Sequence, residues 1–71
     1  MTNIKATEID YYYNTEGLGY TATVFELSEG KRYSVVCKKP HEYQPRDVHV
    51  RTLRTDSFEN AIEDAKRWVN Y

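Results

Sequence analysis

Only one stretch of this chain carries helical periodicity, and it lies at the very end. Phe58, Ala61, Ile62, Ala65, Trp68 and Val69 recur at spacings of three and four residues, which places them on one stripe of a 3.6-residue helix. A single amphipathic helix cannot bury its stripe alone, so the residues before it must supply a platform. Phe58 and Trp68, the two large aromatics of the stripe, are expected to anchor that contact. Asp56 is placed to cap the helix, with Glu59 three residues on completing an acidic capping box, and Ser57 is a close rival for the cap. Acids Glu59, Glu63 and Asp64 lead and Lys66 and Arg67 follow, as the helix dipole prefers, and Glu63 to Arg67 is a favourable i,i+4 pair.

The platform reads as strand throughout. Residues 7–13, 20–27, 32–38 and 48–54 are rich in Ile, Val, Thr, Tyr and Phe. Asn14 to Gly19 supplies a first turn with two glycines able to take positive φ, and Ser28-Glu29-Gly30-Lys31 reads as a compact hairpin turn. The stretch Lys39 to Asp47 carries two prolines and reads as an exposed loop. The expected fold is α+β: a four-stranded antiparallel sheet in ββββα order, with one C-terminal amphipathic helix packed on one face. Residues 1–71 form one small domain, since 71 residues cannot enclose two cores. The opening Met and the closing helix read as a complete small gene product.

Alternation assigns the faces. Ile9, Tyr11 and Tyr13 alternate with Glu8, Asp10 and Tyr12, which predicts Tyr11 and Tyr13 toward the helix and Tyr12 on the opposite face. Tyr33, Val35 and Cys37 alternate with Arg32, Ser34, Val36 and Lys38. The second strand is ambiguous, with Phe25 and Leu27 on one parity and Tyr20, Ala22 and Val24 on the other, and the fourth is ambiguous between Val48/Val50 and Leu53. Either a bulge switches faces, or both faces carry apolar residues. One helix covers one face, so apolar residues on the other require a partner chain or a second copy.

Composition narrows the function. Hydrophobic residues make up 39% and charged residues 30%, as in a globular domain, while seven of the ten aromatics are Tyr, a residue suited to half-buried surfaces and interfaces. A lone Cys37 closes no internal disulfide, which favours a reducing compartment, and the start of the chain has no signal-peptide pattern; the expected location is cytoplasmic, with no membrane partner. Charge is uneven along the chain. Residues 1–30 carry −4, residues 31–54 carry +5 and residues 55–71 carry −2, within a net charge of −1. Such segregation gives a dipolar surface, or oppositely charged cross-strand pairs.

Enzyme chemistry finds little support. Cys37, His41 and His49 match no four-ligand metal pattern, and they read as a small buried residue, a loop side chain and an exposed strand residue. Gly17 and Gly19 lack the third glycine and following helix of a dinucleotide fingerprint. No catalytic residue, metal or cofactor is expected. The stretch Ser57 to Ala65, with Gly19-Tyr20-Thr21-Ala22 entering a hairpin, resembles small antitoxins of the HicB type, although their proline-glycine segment and DNA-binding portion are missing. The ββββα order is also similar to a class of single-strand DNA binders, without a diagnostic motif, and neither resemblance carries over a functional residue.

The expected function is that of a non-catalytic protein-binding module, a small accessory or inhibitor protein such as phages and mobile elements encode, acting by covering a partner's surface. Tyr12, Tyr43, Arg32, Lys38, Arg46, His49 and Arg51 are the candidate contacts, and a homodimer through the open sheet face is the accompanying expectation. The alternative is a single-stranded nucleic-acid binder using strand tyrosines and the basic 31–54 segment.

Overall fold

The computed structural model describes residues 5–28, 32–43 and 45–70. Four strands, β1 (Ala6–Tyr13), β2 (Thr21–Leu27), β3 (Arg32–Pro40) and β4 (Asp47–Thr55), are followed by one helix, α1 (Phe58–Val69). The strands form an antiparallel sheet in the order β1-β2-β3-β4, and α1 packs across one face, chiefly over β2 and β3. This is the expected ββββα arrangement.

The helix starts where its capping chemistry starts. Ser57, not Asp56, is the N-cap: its backbone is extended and its Oγ accepts a hydrogen bond from the Asn60 N–H at 3.3 Å. Glu63 and Arg67 pair at 3.0 Å on the solvent side. The covered face is built from small residues. Ala22, Val24, Val35 and Cys37 from the sheet and Ala61 and Ala65 from the helix are fully buried, with Trp68 and Val69 closing one end. Small side chains at the crossing let the helix backbone approach the sheet closely, and larger ones ring the contact.

Trp68 is the anchor the sequence predicts. It is 7% exposed, stacks on Tyr20 at 4.8 Å between centroids, and donates its Nε1–H to the Lys38 carbonyl at 3.1 Å. Phe58 does not share that role. It is 49% exposed and meets Tyr33 edge-on at 5.5 Å, because it is the first residue of α1 and lies at the end of the helix, although its angle on the circumference matches that of the buried residues.

Two bulges decide the faces. The β1/β2 register shifts between Glu8 and Asp10, so Ile9 is an extra residue and every residue after it changes face relative to simple alternation. Tyr12 therefore lies opposite Ala22 on the covered face, half-buried against the core, and Tyr11 and Tyr13 lie on the other face, 51% and 61% exposed. The predicted orientations of Tyr11, Tyr12 and Tyr13 are thus reversed. In β4 the shift falls opposite Cys37/Lys38 and makes Val50 the extra residue, so that His49 and Arg51 project to opposite faces. The β2/β3 register is continuous, so both faces of β2 are apolar and no bulge switches them.

The loops refine the expected boundaries. β3 and β4 extend to Pro40 and from Asp47, leaving a loop of 41–46; Pro40 fits a strand here because the β2/β3 ladder has already ended at Thr21↔Lys38, leaving β4 as its neighbour. In the first turn Gly19, not Gly17, takes positive φ, at 84°. Pro40 Cγ lies 3.2 Å from where a Cβ on Gly19 would sit, so glycine is required there twice over. The expected 28–31 turn falls largely outside the described residues.

Candidate functional site

The sheet face opposite α1 is the largest feature that the core does not use. Directly opposed residues on neighbouring strands share a face, so the registers define three rungs across it. They run Glu8, Phe25, Ser34, Arg54; then Tyr11, Thr23, Val36, Thr52; then Tyr13, Thr21, Lys38, His49. Leu27 and Arg32 extend it at one end. Among the described residues no element packs on this face, although Phe25, Leu27 and Val36 are only partly buried on it.

Charge is divided between the two sides of the sheet. Arg32, Lys38, Arg54 and His49 project from the open face on β3 and β4, with Glu8 on β1 and Asp47 at its end. Asp47 accepts a hydrogen bond from the Thr21 hydroxyl at 3.4 Å, and His49 Nε2 lies 2.8 Å from the Thr52 hydroxyl. Asp10 and Glu26 point to the helix side, which also carries Glu59, Glu63 and Asp64 of α1. The mildly acidic whole thus presents one aromatic face with a cationic half.

The candidate contacts divide accordingly. Arg32, Lys38 and His49 are brought together on the open face. Tyr43 is 86% exposed in the 41–46 loop, its N–H donating to His41 Nδ1 at 3.0 Å and its ring edge-on to His41, and Arg46 is exposed nearby in sequence. Two expectations are corrected. Tyr12 is absent from the open face; its hydroxyl donates to Asp10 Oδ2 at 2.6 Å on the helix side, and that bond, with a smaller contribution from burial, raises its pKa above the usual 10. Arg51 is also on the helix side, its guanidinium 5.2 Å from the Trp68 ring centroid, because the Val50 bulge turns it there.

Tyr11, Tyr13 and Phe25 are the surface residues that alternation missed. The signal available was the three consecutive tyrosines themselves, which guarantee at least one exposed ring whichever parity holds. The Cys37, His41 and His49 set is not assembled: Cys37 is buried under the helix, His41 is in the loop and His49 is on the open face. Burial raises the Cys37 thiol pKa, which lowers the fraction present as the reactive thiolate. Among the described residues no three His, Cys, Asp or Glu side chains are grouped to hold a metal. None of their helices is long and apolar enough to cross a membrane. Comparison with protein-family models, curated proteins and solved structures finds no match for this chain.

Proposed function

We propose that the protein is a non-catalytic protein-binding module that works by burying the open face of its sheet against another chain, in the manner of the small accessory or inhibitor proteins of phages and mobile elements. One observation carries the reading: Tyr11, Tyr13, Phe25, Leu27 and Val36 share a face that no described element covers. Tyrosine at half exposure contributes large apolar area with little conformational entropy to lose, and it is enriched where chains meet. The test is residue-resolved oxidative labelling of the dilute protein in buffer and in extract of its own host. Tyr11 and Tyr13 become protected in extract while Tyr33, on the helix-covered face, serves as the control; equal labelling of all three in both conditions overturns the reading.

A second reading is favoured by the same rungs, because Tyr11 and Tyr13 share a face with Lys38 and His49, a combination that stacks bases and neutralises phosphates on single strands. It predicts that Lys38→Ala lowers the salt slope of oligonucleotide binding by about 0.7, while Arg51→Ala, on the other side of the sheet, leaves it unchanged. Binding of single-stranded DNA tighter than about 10 micromolar at physiological salt would replace the protein-binding reading with this one.

A further inference from the structure

We infer that the open face is self-complementary and takes a second copy of this chain, packed face to face about a two-fold axis that runs parallel to the strands between β2 and β3. The inference rests on the reading of this face as a docking surface and names its occupant.

The rungs carry the argument. In the first, Glu8 and Phe25 occupy the β1/β2 half while Ser34 and Arg54 occupy the β3/β4 half. A two-fold axis along the strands turns each rung end for end, laying β1 of one copy over β4 of the other. Glu8 then meets Arg54 of the second copy, and Phe25 meets Ser34, a small residue recessed to 6% exposure. In the third rung Tyr13 meets His49 and approaches Lys38, an aromatic face against cationic side chains. In the middle rung Tyr11 lies over Thr52 and Thr23 over Val36, with no charge to desolvate. Each of these contacts occurs twice by symmetry.

The other simple face-to-face arrangement fails on the same residues. An in-plane axis perpendicular to the strands would lay β4 on β4 and β1 on β1, bringing the cationic halves together and stacking Phe25 on the bulky half of its mate. Aligned sheets pack about 30° apart, an offset that the length of an arginine side chain can span at the corners. The size also suffices. The molecule is 39 × 26 × 16 Å, its thin dimension is taken by the sheet and helix layers, and the remaining two leave room for the roughly 800 Å² per partner of a standard interface.

Charge reversal provides the test, since Glu8 and Arg54 are both exposed and stand at opposite edges of the sheet. Sedimentation equilibrium from about 1 to 200 micromolar is run on the wild type, Glu8→Arg, Arg54→Glu and the double variant, with circular dichroism melting to verify that each is folded. The expected result is a wild-type dimer, a dissociation constant at least about tenfold weaker in each single variant, and recovery of most of that loss in the double variant. A wild type that stays monomeric across the range overturns the inference. So does a dimer indifferent to the single reversals, or a double variant no better than the singles. A monomer whose Tyr11 and Tyr13 are nonetheless protected in extract removes the second copy as occupant but keeps the docking face; loss of that protection as well removes both.

Discussion

The two faces of the sheet are made by the same four strands, yet they follow opposite rules. The covered face is dominated at its centre by Ala22, Val24, Val35 and Cys37, all without exposure, and its polar members are tied down locally, as Tyr12 is to Asp10. The open face places threonines and a serine between large or charged side chains, and its rings lie half in solvent. Packing against α1 imposes a volume limit on one face, and nothing described imposes it on the other. Side-chain size is therefore constrained on the covered face and not on the open one, which is why stability is concentrated on the first.

The largest effect that checks this contrast is Trp68→Ala, which removes the ring joining Tyr20, Arg51 and the Lys38 carbonyl. It should cost about 3–5 kcal/mol, most of the roughly 4–11 kcal/mol expected of a chain this long, and urea melts should show a largely unfolded protein near body temperature. An unchanged melt would mean that α1 does not hold the covered face.

A sharper comparison uses neighbours on opposite faces. Val35→Thr places an unpartnered hydroxyl under the helix and should cost about 1–3 kcal/mol, whereas Val36→Thr, one residue on, should change stability by less than about 0.5 kcal/mol. Equal costs in equilibrium denaturation would break the distinction between the faces.

Gly19→Ala probes the turn that delivers β2 to the sheet. The positive φ alone should cost about 1–2 kcal/mol, and the contact with Pro40 adds to it; a thermal melt matching the wild type would contradict the geometry. Tyr12→Phe should cost less, at about 0.5–1.5 kcal/mol for the lost hydrogen bond to Asp10. Its pH dependence has a definite sign. A folded pKa raised above 10 means that the phenol's contribution is fully present below about pH 10 and is lost as pH rises through the folded value. The wild type should therefore lose stability at alkaline pH more steeply than Tyr12→Phe, as read from urea midpoints between about pH 8 and 11.

Element type and order were legible because each rests on local periodicity. The α1 stripe, the Glu63–Arg67 pair and the turn residues around Gly19 can all be read from neighbours within a few positions. The helix anchor was half legible: Trp68 and Phe58 share the stripe, but Phe58 is the first residue of α1 and stays half exposed at the helix end, a difference in position along the axis that angular spacing does not show. Among the candidate contacts, Arg32, Lys38 and His49 fell on one face as strand parity in β3 and the start of β4 allows, while Tyr12 and Arg51 did not.

What the sequence determined by itself was a single terminal helix needing a sheet, the four strands to make that sheet, and an excess of aromatic side chains beyond what one helix can cover. Only the tertiary structure decided which of those side chains remain outside. Ile9 and Val50 are ordinary strand residues, and nothing in their identity marks them as extra; a bulge arises from how one strand must pair with the next. Because side chains alternate with a period of two, one unpaired residue in β1 moved Tyr11 and Tyr13 to the open face, and one in β4 set Arg51 on the helix side and His49 on the other.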